Sequence, residues 1–450
     1  MTTPKQIFLS LLAFLCIAGC RKSDYTLEDD AVTITDNGGG TGTVTWTHDR
    51  EYLLEGFVFV NDGQVLTIEP GTVIRAKAGQ GSAASALIVA RGGRIIANGT
   101  QDDPIIFTAN GDDLSGSVPL KTKGLWGGVI ILGNAPLNLS QNEAHIEGIP
   151  LYETRGEYGG TNDEDHSGIL RYVSIRHSGT NIGEGNEING LTLGGVGSQT
   201  VIDHVEVVSN ADDGFEFFGG SVCCRYLVAA FCDDDAFDFD LGYRGKGQFW
   251  FAVQEVSGGD RLIEVGGGMD PVTGTPHTMP RIFNATLIGG GNGDQRSLMY
   301  FSRNGAGEYA NSIFLNKGQG VYLEYIENAD DSYGQFLAGN LGIPHNVFYA
   351  VGDGTPEGIF TVYASPGTNV DAQNAVFQEY FTGAGNRVLD PGIEYSDDFC
   401  DPLPSGGAVL GGLEEYPSDW FVPVPFKGAF YTYNWAAGWT LLSSSGYLRN

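Results

Sequence analysis

Basic residues are scarce in this sequence, which has 24 Lys and Arg residues against 55 Asp and Glu residues and a net charge of −31. Proteins that bind nucleic acid need clustered Lys and Arg side chains to neutralise phosphates. We therefore expect no nucleic-acid partner. Divalent cations or neutral glycans fit this charge balance better, although a merely solvated acidic surface is the simpler explanation.

Several catalytic signatures are also missing. The sequence has no Gly-x-Ser-x-Gly nucleophile elbow, no phosphate-binding loop, no dinucleotide fingerprint and no EF-hand loop. Its histidines and cysteines lack the spacing of a zinc site. No segment shows the sustained apolar periodicity of an amphipathic helix. Hydrophobic residues nevertheless make up 41% of the chain, which is enough for a sizeable core.

The apolar run from Ile7 to Ile17 is too short to span a bilayer, which takes about 20 residues. It follows Lys5 and ends in Ala-Gly-Cys20, a sequence that resembles a bacterial lipobox. In such signals the cysteine is acylated and becomes the first mature residue. We therefore predict a signal peptide over residues 1–19 and a lipid anchor at Cys20, which would place the protein in the outer membrane, exposed at the cell surface. A signal peptide with a coincidental cysteine is the alternative.

Residues 20–42 are polar, acidic and rich in glycine, so we interpret them as a flexible tether. The cysteines beyond the anchor are Cys223, Cys224, Cys232 and Cys400. An oxidising envelope permits disulfides between them, but their connectivity cannot be deduced from the sequence.

From about Thr43 onward the sequence consists of short apolar β-type runs separated by Gly, Asn and Asp. Segment 212–217 (DDGFEF) aligns with segment 234–239 (DDAFDF) at an offset of 22 residues. An offset of 24 residues places Leu191 under Phe215, and a looser match adds Ile263. A period near 22 residues with several short strands is what one coil of a parallel β-helix requires.

Alternation along the aligned strands separates their residues into an apolar and a mostly acidic column. The apolar column contains Leu191, Phe215, Phe237 and Ile263, and the other contains Thr192, Glu216, Asp238 and Glu264. We therefore predict an all-β fold, a right-handed parallel β-helix over residues 43–450 whose stacked strands lie about 4.8 Å apart.

Two further features concern the turns and the ends of this solenoid. Asn284, Asn311 and Asn346 each precede an apolar run and are expected to be stacked turn asparagines. The aromatic-rich segment from about residue 380 is expected to cap the stack, because an open end would expose unpaired strands. A sugar-stacking platform is the alternative role for these aromatic residues.

Several segments resemble a family of secreted or lipid-anchored proteins from Bacteroidetes and marine bacteria, which are described only as right-handed β-helix repeat lipoproteins. They are residues 124–135, which begin with Gly-Leu-Trp-Gly-Gly, and residues 185–193, 212–220, 239–246 and 427–440. The resemblance implies the β-helix fold and a location in the cell envelope. It implies no activity.

The most unusual chemistry in the sequence is an acidic patch that repeats from one coil to the next. Its members are Asp212, Asp213 and Glu216 on one coil and Asp234, Asp235 and Asp238 on the following coil. Stacked carboxylates repel each other, so partly buried ones need a cation, a basic neighbour or a raised pKa. Ca²⁺, which takes six to eight oxygen ligands, suits such a cluster. We therefore interpret these six residues as candidate metal ligands.

Two other interpretations remain open. The acids could be turn residues that bond the local backbone or pair with bases, for which the candidates are Arg225, Arg244, Lys246 and Arg261. They could also be catalytic, because inverting glycosidases hold two carboxylates about 6.5–9.5 Å apart. The pattern faintly resembles that of polygalacturonase-type hydrolases, but it lacks the expected His-Gly on the next coil.

These observations favour a cell-surface scaffold or glycan-binding adhesion protein, stabilised by Ca²⁺ and anchored to the membrane by lipid. A polysaccharide lyase or glycoside hydrolase that uses the acidic coils is the alternative. For a lyase, the base would come from Arg244 or Lys246. No catalytic residue, glycan or oligomeric state can be assigned from the sequence.

Overall fold

The computed structural model describes residues 31–183, 186–256, 258–405 and 407–449. Short parallel strands recur along this chain in a fixed order and stack on their equivalents in the next coil, as in a right-handed parallel β-helix. The strands form three faces. The predicted lipid attachment at Cys20 and the signal over residues 1–19 lie outside the described residues.

The bounds of the strands define the three faces. Face 1 contains Val44–Trp46, Val65–Ile68, Arg94–Asn98, Lys246–Gln248, Arg281–Phe283, Gly307–Ala310 and Leu341–Gly342. Face 2 contains Val32–Thr35, Tyr52–Glu55, Val73–Ala76, Ile105–Ala109, Phe251–Val253, Thr286–Gly291, Ile313–Lys317, Val347–Val351 and Arg387–Val388. Three longer strands run across faces 1 and 2 and join them into one 19-stranded sheet: Gly168–Arg176, Val201–Val208 and Cys223–Ala230. Face 3 contains Phe57–Val60, Ala86–Val89, Val129–Leu132, Leu191–Gly194, Phe215–Phe218, Phe237–Asp240, Ile263–Gly266, Ser297–Ser302, Gln319–Glu324 and Phe360–Tyr363.

The remaining elements are small. Antiparallel hairpins pair Glu143–His145 with Glu157–Gly159, Asn181–Gly183 with Asn186–Glu187, and Glu394–Ser396 with Phe399–Asp401. The α-helices are Ser332–Leu337, Pro356–Ile359, Asp371–Gly383 and Leu441–Ser444, and the 3₁₀ helices are Gly81–Ala83, Thr154–Gly156 and Gly407–Val409. Within the described ranges, no helix has the length and apolar character needed to cross a membrane.

The predicted period and register are confirmed on face 3. Leu191 pairs with Phe215, and Phe215 with Phe237, in parallel strands of successive coils. These side chains are fully buried, and the rings of Phe215 and Phe237 stack with centroids 5.5 Å apart. Each such side chain stabilises the fold by roughly 1.5–3 kcal/mol. Since alternate residues point to opposite sides of a strand, the acids between them must point outward.

The bend between faces 1 and 2 is made by single residues in the left-handed conformation. Asn284 and Asn311 occupy this position, with φ of 56° and 55°, as expected for turn asparagines. Asn346, the third predicted turn asparagine, does not occupy the bend itself. His345 makes the bend, with φ 58°, and Asn346 is the next residue. Asn346 instead accepts a hydrogen bond from the backbone N–H of Ser312 at 2.8 Å, and so links two coils.

The two ends of the solenoid differ from the sequence-based expectation. Val32–Thr35 pairs in register with Tyr52–Glu55, so the solenoid begins before Thr43 and includes the end of the expected tether. At the other end the stack is covered by the helix Asp371–Gly383, whose Phe377 ring stacks on Phe360 at 4.5 Å. The aromatic-rich segment that follows this helix is therefore not the main cap.

The aromatic-rich C-terminal segment, residues 389–405 and 407–449, lies along the outer surface of face 2. Its backbone accepts a hydrogen bond at Phe426 from Asn284 (2.9 Å) and donates one at Leu441 to the carboxylate of Glu206 (2.8 Å). Outward apolar residues of several coils pack beneath it, including Val208, Val228, Phe251, Ile288 and Ile313. Without this segment, the apolar strip on the outer surface of face 2 would be in contact with water. The segment therefore acts as a lateral cover of the solenoid.

Candidate acidic site on face 3

The six predicted metal ligands come together at the edge where the chain enters face 3. Three carboxylate groups have oxygens within 4.8 Å of one another in each of three overlapping sets. These sets are Asp212, Asp213 and Asp234; Asp213, Glu216 and Asp238; and Asp234, Asp235 and Asp260. Stacking of successive coils therefore produces the proximity that the 22-residue offset predicts.

Asp213 and Asp235 occupy the turn that precedes the face 3 strands, and both are buried. Asp213 Oδ1 accepts a hydrogen bond from the backbone N–H of Asp235 at 2.7 Å, and Asp235 Oδ1 accepts one from the backbone N–H of Arg261 at 2.5 Å. Each acid therefore satisfies a buried backbone donor on the next coil, as a turn residue does. One oxygen of each carboxylate is engaged in this way, so the turn-acid interpretation accounts for part of the cluster.

Glu216 and Asp238 point outward from adjacent strands of face 3, in direct register. Asn189 Nδ2 donates to Glu216 Oε2, and Asp238 Oδ1 accepts from the backbone N–H of Phe239 at 2.7 Å. Among the residues that the structure describes, neither carboxylate forms an ion pair with a Lys, Arg or His side chain. A buried Glu216 and a half-buried Asp238 thus lie side by side without a base.

Burial raises the pKa of four acids well above the ordinary range, and neighbouring carboxylates raise it further. These acids are Asp213, Glu216, Asp235 and Asp238. For Glu216 the main neighbour is Glu147, and for Asp238 it is Asp240. Asp213 is affected most by Asp235, and the pKa of Asp235 is raised by surrounding acids in the same way. At neutral pH this cluster therefore needs either protons or a bound cation.

A charged rim surrounds the unpaired acids. Arg303 Nη2 contacts both carboxylate oxygens of Asp240, at 2.9 and 3.2 Å. Burial raises the pKa of Asp240 to about 7, although Arg303 opposes that shift. Arg261 pairs with Glu264 at 2.7 Å and with Asp260 at 2.5 Å. The basic side chains therefore neutralise the edge of the cluster and leave its centre uncompensated.

Tyrosine rings continue the outward column beyond the acids. Glu264 pairs in register with Tyr300, and Tyr300 with Tyr322. The Tyr300 ring stacks on that of Tyr363 with centroids 5.0 Å apart, and the Arg261 guanidinium lies 4.5 Å from the Tyr300 centroid. Face 3 thus offers a strip of carboxylates next to flat aromatic surfaces.

The donor set of this site fits a hard cation. All the converging groups are oxygens, and Ca²⁺ prefers six to eight of these. Asn189 Oδ1 is also buried and has no hydrogen-bond partner among the described residues, although the amide of Asn189 touches Glu216. An orphaned buried amide oxygen beside uncompensated carboxylates is what an oxygen-ligated cation would satisfy. The residues that would hold Ca²⁺ are Asp213, Glu216 and Asp238, with Asn189 beside them.

Among the residues that the structure describes, three of the four candidate bases form no ion pair with the six acids. Lys246 lies in a strand of face 1, and Arg244 pairs with Asp163 at 2.6 Å. Arg225 contacts the backbone of Trp420 in the C-terminal segment. Of the four proposed partners, Arg261 forms ion pairs with acids of this region, Asp260 and Glu264. A role of Arg244 or Lys246 as the base of a lyase stays a prediction.

A family model described as a pectate-lyase-like β-helix domain matches residues 38–386, which is most of the chain. The chain therefore belongs to the pectate-lyase-like β-helix domain family. No curated protein and no solved structure matches it significantly. The family match includes every residue of the acidic site and ends before the C-terminal segment on face 2.

Sequence reasoning missed some residues of the acidic site. Asn189 precedes Leu191 by two positions, as Asp213 precedes Phe215, so the offset of 24 residues could have identified it. Glu147 could not have been found in this way, because it lies in the hairpin insertion between two coils and has no counterpart in the repeat.

The four cysteines are free thiols, and the structure forms no disulfide between any of them in the ranges it describes. Cys224, Cys232 and Cys400 are buried, and burial raises the pKa of Cys232 to about 12. These thiols behave as small apolar side chains of the core.

Proposed function

We propose that this β-helix protein is a glycan-binding or scaffold protein of the bacterial cell envelope whose face 3 holds Ca²⁺ at its acidic centre. The observation that carries the proposal is the convergence of Asp213, Glu216 and Asp238 without a base. A bound cation would neutralise them and could also contact hydroxyl or acidic groups of a saccharide.

The tyrosines beside the acids support the glycan part of the proposal. Tyr300 and Tyr363 present stacked rings next to Glu264. Aromatic rings bind the apolar faces of sugar rings, while carboxylates accept hydrogen bonds from sugar hydroxyls. The strip runs along several stacked coils, so it suits an extended polymer better than a small compact ligand.

Ca²⁺ binding and glycan retention test the proposal together. We expect the chelator-treated protein to gain thermal stability on addition of Ca²⁺, and to be retained on a polysaccharide matrix more strongly with Ca²⁺ than without it. Glu216→Gln should weaken both effects. Glu379→Gln, which removes the same charge from the exposed surface of a helix, should change neither. Equal behaviour of the two variants would contradict the proposal.

Envelope anchoring is part of the same proposal and needs its own test. The lipobox-like sequence that ends at Cys20 supports it. Expressed in a Gram-negative host, the protein should incorporate a fatty-acid label and fractionate with the outer membrane, and Cys20→Ala should abolish the labelling. Labelling that persists in Cys20→Ala would rule out this anchor.

Cleavage of the glycan is the second candidate function, and the Asp240 carboxyl favours it. With a pKa of about 7, this group can donate a proton near neutral pH, as a general acid does. An enzyme would release reducing ends or unsaturated products from the polysaccharide, whereas a binder would only retain it. Asp240→Asn, which removes the titrating carboxyl, should abolish any such turnover.

A further inference from the structure

A second candidate site lies on face 1, away from the acids of face 3. A cavity of about 320 Å³ is lined there by Arg244, Lys246, His277 and Arg281, together with Pro276 and Met279. Every ionisable side chain in this lining is basic, although the chain as a whole has 55 acids and 24 bases. A cavity of this composition selects negatively charged ligands.

Two of these cations are stacked by the fold itself. Lys246 pairs in register with Arg281 on the neighbouring strand, which places the two backbones about 4.8 Å apart. Like charges that face each other on adjacent strands are destabilising unless an anion or a carboxylate lies between them. An oxyanion in the cavity would relieve that repulsion.

The protein supplies only part of the negative charge that these bases need. Arg244 is paired with Asp163 at 2.6 Å, and Arg281 lies at 3.8 Å from Glu308, a loose contact. The ammonium group of Lys246 makes no ion pair or hydrogen bond with the part of the chain that the structure describes. Lys246 and the outer side of Arg281 are thus available to a ligand.

A second and more polar cavity continues from the first along face 1. It has a volume of about 510 Å³ and shares Met279 and Arg281 with the basic cavity. Glu308, His345, Tyr380 and Glu414 line it, and His345 Nε2 lies 3.4 Å from a Glu414 oxygen. Together the two cavities accept a ligand with an anionic group at one end and a polar, hydrogen-bonding body at the other.

We propose that face 1 binds an oxyanion, a carboxylate, sulfate or phosphate group, carried by a polar ligand whose body occupies the adjoining cavity. Lys246 and Arg281 contact the anion, and Glu308 and Glu414 accept hydrogen bonds from the body. This site is separate from the acidic site on face 3, so it stands whether or not that site binds Ca²⁺.

Inorganic sulfate and phosphate are the first probes, added to the full chain at the ionic strength of a sodium chloride control. We expect either anion to raise the melting temperature more than chloride does. Titration calorimetry with a sulfated, a phosphorylated and an uronic-acid monosaccharide, each against its neutral parent, then identifies the source of the anion. At least one charged sugar should bind at least about tenfold more tightly than its neutral parent.

Lys246→Gln and, separately, Arg281→Gln should each reduce that affinity by about tenfold, since each removes one charge-assisted contact. The matched control is Lys77→Gln, because Lys77 is a half-exposed base on another coil that pairs with Glu55. The melting temperature in sodium chloride should be retained in all three variants, which shows that they are folded and keeps this test independent of Ca²⁺ binding at face 3. Equal binding of charged and neutral sugars, unchanged affinity in both face 1 variants, or no response to any anion would overturn the proposal.

Discussion

Asp213 Oδ1 accepts a hydrogen bond from the backbone N–H of Asp235 at 2.7 Å, so one coil of the solenoid is tied to the next by a carboxylate. The same side chain contributes to the oxygen cluster with Glu216 and Asp238. Asp213 therefore has two roles: it accepts a hydrogen bond from a backbone N–H group, and it contributes negative charge to the site. Substitutions that affect only one of these roles can separate them.

Asp213→Asn should be tolerated, whereas Asp213→Ala should destabilise the chelator-treated protein by about 1–3 kcal/mol. Asparagine keeps the oxygen that accepts the Asp235 N–H and removes a charge that neighbouring acids repel. Alanine leaves that buried donor unsatisfied. Denaturant unfolding measures both effects, and equal losses in the two variants would show that the hydrogen bond contributes nothing.

Stability in the presence of a chelator should fall as the pH rises. A carboxyl group with a higher pKa in the folded than in the unfolded chain binds more protons when folded, so its contribution is lost as the pH rises through the folded pKa. For Asp240 the interval runs from its ordinary value of 3.8 to about 7. The raised pKa values of Glu216 and Asp238 extend the effect in the same direction.

Ca²⁺ should reverse this trend, because it replaces the protons on the same carboxylates. The rise in melting temperature caused by Ca²⁺ is therefore expected to be small near about pH 5 and larger near about pH 8. Thermal unfolding at both pH values, with chelator or Ca²⁺, provides the comparison. A Ca²⁺ effect that is larger at low pH would be inconsistent with the site.

Lys317→Met should destabilise the protein by about 3–5 kcal/mol, because Lys317 is fully buried and its ammonium group contacts Asp294 Oδ2 at 2.5 Å. Removal of the lysine leaves a buried carboxylate with fewer partners. Lys317→Met combined with Asp294→Leu should recover part of the loss. The half-exposed pair of Lys77 and Glu55 is the control, and Lys77→Met should cost less than about 1 kcal/mol.

Trp435→Ala tests the lateral cover of face 2. The Trp435 ring stacks on Phe430 at 4.9 Å and meets Tyr226 of the solenoid edge-on at 5.1 Å. Its removal should cost about 3–5 kcal/mol of unfolding free energy. Tyr433→Ala, at a position that is 62% exposed in the same segment, should have little effect. If the two variants unfold alike, the segment does not pack on face 2 as described.

The β-helix and the centre of the acidic site could be predicted because both depend on a regular repeat. Asp212 and Asp234 are 22 residues apart, and strand alternation determines which side chains point outward. Glu264 is followed on the next coil by Tyr300, which is 36 residues further on because an insertion lengthens that coil. An interrupted period hides such neighbours, so the tyrosine strip could not be predicted.

The C-terminal segment lies outside the repeats, so the repeat pattern does not predict its position. Its aromatic residues indicate that the segment is partly buried. A segment that covers the end of the stack and one that covers its side would have the same amino-acid composition. What decides between them is the apolar outer surface of face 2, built from residues such as Val228, Phe251 and Ile313. That surface becomes apparent only when all the coils are in register.

Calorimetric titration of Ca²⁺ into the chelator-treated full chain tests the central claim most directly. We predict saturable binding in the wild type, a large loss of affinity in a Glu216→Gln/Asp238→Asn variant, and unchanged binding in Asp102→Asn, which removes an exposed surface charge. Absence of binding in the wild type, or equal binding in the double variant, would contradict the assignment of face 3 as a cation site.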